Sequence, residues 1–276
     1  MNGPIAQIVA LTCHGNAILS GQAGLPFLPA NSTCQFCERV TFVTLGRSLL
    51  GKLNETKLAD SPEAWFSHLK TREALGIRLW RKPQNNPGFS DRMTAGLAGG
   101  GGTWTMEILL PGDTSERWAA RWEVSNREAP DQRIWRVTYA RVSKGKSSPA
   151  KVGELSEAIH ELEESLKAIQ SFSKKQKLEV FSTQFEQALD SIESKGRNRH
   201  GYHQDLAPTG FLSEEAAVLF DACQTAWVFG GMLSWNDLWF EGEDQGTYER
   251  VSERLFEAVN AGIEQAATSS IGELNV

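Results

Sequence analysis

Between Thr103 and Ser143 apolar residues recur at every second position, and that period constrains the fold more than any other feature of the chain. A period of two places one set of side chains on one face of a β-strand. Trp104, Met106, Ile108 and Leu110 form the first set. Trp118, Ala120, Trp122 and Val124 form the second, interleaved with Arg117, Arg121 and Glu123, so this strand is expected to be wet on one side. In Arg133–Val142 the set Trp135, Val137, Tyr139 and Arg141 alternates with Ile134, Arg136, Thr138, Ala140 and Val142. Pro111-Gly112-Asp113-Thr114 has the composition of a tight turn, and Ser125–Gln132 is a polar connection. The stretch therefore predicts three consecutive antiparallel strands. Its tryptophans, Trp104, Trp118, Trp122 and Trp135, each bury roughly 150–250 Å² when enclosed, enough to dominate a local core. An aromatic platform for a ligand is the alternative reading of the same residues.

Ahead of the meander, Pro4–Thr12 is rich in Ile, Val and Leu and reads as a strand, paired with the alternating segment Phe36–Leu45. Arg47–Ala59 reads as a short helix. Ser61-Pro62-Glu63 is a helix start, with an N-cap, a first-turn proline and an acid, carrying Trp65, Phe66 and Leu69 inward. Ile77–Trp80 reads as a short strand. After the polar linker 143–151 the period lengthens to about three and a half. Val152, Leu155, Ile159, Leu162, Leu166 and Ile169 form one helical stripe, and Leu178, Phe181, Phe185, Leu189 and Ile192 a second. Ser213 caps a further apolar helix, and Tyr248, Val251, Leu255, Val259 and Ile263 mark the last. The predicted class is α+β: a mostly antiparallel sheet with one or two helices over 1–148, then a helical domain or layer over 149–276.

At 276 residues with 40% hydrophobic content and nine tryptophans, the chain can bury a sizeable core and is not globally disordered. No apolar run reaches the ~18 residues of a membrane span. Ile5–Thr12 lacks the basic flank of a signal peptide, so a cytoplasmic location is expected, and four cysteines do not suggest a secreted disulfide scaffold. The net charge of −6 divides into +6 over residues 1–148 and −12 over residues 149–276. A positive balance that dilute argues against nucleic acid as a partner.

No stretch carries a chemical motif at full spacing. Cys34-x-x-Cys37 with Cys13 and His14 has the ligand types of a zinc site, but adjacent Cys13 and His14 diverge if extended, and buried thiols ordinarily serve as small hydrophobes. Cys13 or Ser20 beside His14 supplies a nucleophile and a base, without a nucleophile turn such as G-x-S-x-G. The glycine run Gly96–Gly102 lacks the lysine and the following helix of a phosphate loop and reads as a hairpin or a lid over a pocket. Lys195, Arg197, Arg199, His200, Tyr202 and His203 form a basic loop with an aromatic, which is either a phosphate or single-strand contact or a solvated loop.

The most unusual stretch of the second half alternates Trp235, Trp239 and Phe240 with Asn236, Asp237, Glu241, Glu243 and Asp244. It is expected to approach the basic first half, its acids opposite Arg117 or Arg121, and to wall a pocket at the junction. Trp235, Asn236, Asp237, Trp239, Glu241, Arg117 and Arg121 are accordingly the candidate ligand residues. The leading functional reading is a cytoplasmic binding or interaction protein, taking a protein partner or a small polar ligand and no cofactor. A hydrolase using His14 with Cys13, or a cleft acid such as Asp237, is the alternative. A homo-oligomer sealed through 152–192 is the third.

Overall fold

The chain opens with a helix that is buried all round. In the computed structural model, which describes residues 1–22, 26–47, 53–84, 88–97, 100–148, 153–230 and 233–272, α1 spans Gly3–Leu19. Asn2 caps it by accepting from Ile5 N at 3.1 Å, and Pro4 sits in the first turn, where its missing N–H costs nothing. Every residue from Ile5 to Ala17 is buried. This overturns the strand expected over Pro4–Thr12. A helix enclosed on all sides has no polar face, so its sequence is as uniformly apolar as a central strand.

Six strands follow in the spatial order β2-β1-β6-β5-β4-β3: β1 (Cys37–Arg47), β2 (Leu53–Ala59), β3 (Gly76–Lys82), β4 (Thr103–Leu110), β5 (Thr114–Val124) and β6 (Trp135–Lys146). All neighbouring pairs are antiparallel except β1 with β6. The predicted meander is β4-β5-β6, as the alternation requires. With α1 helical, β1 takes β6 and β2 as neighbours, and the polar stretch expected to be a helix supplies β2. A strand at the sheet's edge tolerates the polar pattern of Asn54, Glu55, Thr56 and Lys57.

Helix α2 (Pro62–Thr71) starts where Ser61 accepts from Ala64 N at 3.2 Å, and it buries Trp65, Phe66 and Leu69. Trp65 stacks on Phe42 at 4.4 Å between ring centroids, with Trp118 at 5.8 Å from Trp65 and Tyr139 at 5.3 Å from Phe42. These rings weld α2 to β1, β5 and β6. On the opposite face, Arg121 pairs with Glu55 and Glu123, and Arg136 with Glu38, in exposed ion pairs. The sheet is therefore dry on one face and charged on the other.

The second half is helical: α4 (Leu155–Lys175), α5 (Glu179–Glu193), α6 (Glu214–Thr225) and α7 (Glu243–Ser269), while a short α3 (Asp91–Thr94) lies in the β3–β4 connection. The α4–α5 pair is the hairpin alternative of the two stripes. Leu162, Leu166, Ile169, Phe185 and Leu189 are buried within the chain, against neighbouring helices. Val152 lies outside the described residues. Helix α7 joins the halves: it packs on α4 and α6, and also on β3 and α1. Asn16 of α1 exchanges two hydrogen bonds with the Ile77 backbone, at 2.7 and 2.9 Å, and donates to Ser270 Oγ at 2.7 Å. The buried apolar side chains of both halves form one continuous cluster. Among the described residues no helix is long and apolar enough to cross a membrane.

Candidate functional site

The dry face of the sheet is not covered to its end. Beyond Trp118, the alternation of β4, β5 and β6 continues through Trp104, Trp122 and Trp135, and these three rings form one wall of a cleft of about 1030 Å³. The first turns of α1 provide the floor, with Pro4, Ile5 and Ile8. The facing wall comes from the helical half: Trp227 and Phe229, just after α6, and Tyr202 and His203 from the loop between α5 and α6. Gly96, Gly100 and Gly102 close the edge between them. Gly230 has φ +95°, and a Cβ there would lie 2.6 Å from Gly96 Cα, so backbone meets backbone where the halves close.

Among the described residues, the lining contains no Lys, Arg, Asp or Glu side chain. The Met1 amine, also at the floor, donates to Gln224 O at 3.4 Å, and burial pulls its pKa down to about 5, so it carries little charge near neutral pH. The cleft is thus aromatic and nearly charge-free in a chain where 22% of residues are charged.

One polar cluster enters it. Ser32 opens a 3-10 turn (Ser32–Cys34), and its Oγ lies 2.7 Å from His203 Nδ1 while donating to Asp205 Oδ1. Asp205 Oδ2 also accepts from Ser32 N at 2.7 Å. The Asp205 carbonyl contacts His14 Nε2 at 3.0 Å and accepts from Asn31 Nδ2 at 2.8 Å. The loop that carries His203 is clamped from behind. Gln224 accepts from His203 N at 2.9 Å and donates to His203 O at 3.1 Å. The buried Asp221 carboxylate accepts from His200 N, Gly201 N and Ser191 Oγ at 2.7–3.0 Å. Burial holds the His203 imidazole below its ordinary pKa, so the ring is neutral near pH 7.

The residues singled out by sequence fall elsewhere. Trp235 is enclosed in the helical half, donating from Nε1 to Ser252 Oγ at 2.6 Å with Phe181 and Phe185 edge-on. Asn236 clasps α3, accepting from Arg92 at 2.7 Å and donating to its carbonyl at 2.8 Å. Asp237 caps its own turn through Ser234 N at 2.9 Å. Trp239 and Glu241 are exposed. Arg121 pairs with Glu55 and Glu123, while Arg117 lies over the Trp80 ring and donates to Ser148. The anticipated pairing of the Trp235–Asp244 acids with Arg117 or Arg121 is therefore replaced: the turn packs on α3, and the sheet's own acids take Arg121.

The four proposed metal ligands divide as well. Cys34 and Cys37 are free thiols that share a hydrogen bond, which raises the Cys34 pKa and lowers that of Cys37, and both accept from Gln7 Nε2, at 3.5 and 3.4 Å. His14 is turned to Asp205 and to the edge of Phe27. Burial pushes Cys13 up to about 12, far from a nucleophilic thiolate, and no hydrogen bond joins it to His14. Among the described residues no three His, Cys, Asp or Glu side chains gather to hold a metal ion.

The sequence signal for the cleft was the excess of tryptophan in the meander, which divides between core (Trp118) and wall (Trp104, Trp122, Trp135). Tyr202 and His203 belonged to the basic loop, whose His200 otherwise pairs with Asp190 at 2.9 Å. Ser32, Trp227 and Phe229 carried no signal. No family model, curated protein or solved structure matches the chain.

Proposed function

We propose that this protein binds a neutral small molecule with a flat, apolar body in the cleft between the end of the sheet and the helical half. The observation that carries this reading is the composition of the lining: Trp104, Trp122, Trp135, Trp227 and Phe229 converge on one space to which none of the described residues brings a charged side chain. Its volume of about 1030 Å³ accommodates a small molecule. Aromatic walls favour a planar ligand through offset and edge contacts. An ionised ligand would leave water without a counter-charge, which is costly in such surroundings.

Calorimetric titration near neutral pH with 2-naphthol and with the ionised 2-naphthoate tests this. Binding of 2-naphthol, at least roughly a hundredfold tighter than 2-naphthoate, supports a site selective for neutral ligands. Absence of 2-naphthol binding, or equal affinity for the two, contradicts it. Trp227→Ala is expected to weaken 2-naphthol binding while Trp239→Ala, on an exposed ring, leaves it unchanged.

A further inference from the structure

Resting on that reading of the cleft, we propose that His203 presents a bare Nε2 to the ligand and selects molecules that carry a hydroxyl or N–H donor at one edge. The assignment follows from counting hydrogens. Asp205 Oδ1 and Oδ2 act as acceptors, for Ser32 O–H and Ser32 N–H. Ser32 has a single O–H, and were it turned to His203, Ser32 Oγ and Asp205 Oδ1 would face each other as two acceptors in close contact. The 2.7 Å contact between Ser32 Oγ and His203 Nδ1 therefore takes its hydrogen from the imidazole. A neutral imidazole carries one N–H, so Nε2 is left as an acceptor.

Among the described residues Nε2 has no hydrogen-bond partner. Two influences on the ring oppose each other: burial, with the Tyr202 ring edge-on at 4.9 Å, favours the neutral form and is the larger, while the Asp205 carboxylate behind Ser32 favours the charged one. Among the described lining residues His203 is the only histidine. Ser32 and Asp205 act as positioning residues, fixing the tautomer and the plane of the ring. The Gln224 clamp on the His203 backbone fixes where that plane sits.

The test pairs two measurements on the intact chain. Nitrogen-15 spectra of the imidazoles should show His203 protonated on Nδ1, and Ser32→Ala should move the ring toward a mixture of tautomers, a change that loss of packing alone does not produce. In titrations, 2-naphthol should bind the wild type about tenfold tighter than 2-methoxynaphthalene, which has the same ring and oxygen but no donor. Ser32→Ala should shrink that preference. An Nε2-protonated His203 in the wild type, or equal binding of the two probes, overturns the assignment of His203 while leaving the cleft as a neutral-ligand site. Failure of both probes to bind removes the cleft reading and this one together.

Discussion

Ser32 Oγ and His203 Nδ1 stand 2.7 Å apart although 171 positions separate them in the chain. One belongs to a 3-10 turn leading into β1, the other to the loop between α5 and α6, so their contact joins the sheet half to the helical half at the mouth of the cleft. Asp205 locks the pair by accepting both the N–H and the O–H of Ser32. Neither residue is part of a recognisable motif, and the arrangement exists only because β1 and α6 are held by the common core.

The opposite edge of the cleft depends on a buried ion pair. Arg81 of β3 and Asp91 of α3 meet at 2.7 Å with side chains only 5% exposed each, and Arg81 Nε also donates to Gly101 O at 3.3 Å. Asp91→Ala would remove the buried carboxylate partner and leave the buried guanidinium paired with the partly exposed Glu257, and is expected to cost about 3 kcal/mol in urea unfolding. Glu257→Ala, removing the solvent-screened partner, should cost less than about 1 kcal/mol.

Burial lowers the pKa of His14, of His203 and of His68. In the unfolded chain these rings protonate near their ordinary pKa of about 6.5, whereas in the fold they stay neutral to lower pH. In that window the unfolded state binds more protons, so stability rises with pH. The melting temperature should therefore fall as pH drops from neutral toward and below about 6. Glu264 opposes this trend just above the usual carboxylate range, since burial raises its pKa. Replacing His14 with Gln, which keeps an amide donor for the Asp205 carbonyl, should flatten the slope between pH values of about 5 and 7.

Two tryptophans four positions apart in sequence should respond to truncation on very different scales. Trp235 is fully enclosed, with its Nε1 bonded to Ser252, and Trp235→Ala should cost about 3–5 kcal/mol. Trp239 is 71% exposed, and Trp239→Ala should change stability by less than about 0.5 kcal/mol. Denaturant midpoints at unchanged slope would check both.

How much of this was legible depended on whether one face of an element meets water. The strands β5 and β6 and the helices α4 and α5 each expose one face, so their periods are written in the sequence; β4 is buried on both faces from Met106 to Leu110, yet it still alternates because Glu107 on its second face is held by Trp80 and Ser115. Helix α1 exposes none, and Ile5–Leu11 could not be told from a strand. Strand β2 lies at an edge and carries Asn54, Glu55 and Lys57, so its period was masked by polar residues. The site was harder still. Alternation places Trp104, Trp118 and Trp122 on one face, but which of them is covered depends on where α1 and α2 come to rest. Ser32, His203 and Asp205 are ordinary loop residues until tertiary packing brings them together.

The central claim, that the aromatic cleft is a binding site, is tested most directly by the indole N–H resonances of the nine tryptophans during addition of 2-naphthol. Each indole reports its own surroundings, so assigned spectra locate the ligand without any substitution. Signals of Trp104, Trp122, Trp135 and Trp227 should shift in a saturable manner, while those of the enclosed Trp65, Trp118 and Trp235 hold still. Shifts confined to the exposed Trp239, or no saturable shift at any of the four cleft indoles, would contradict the account.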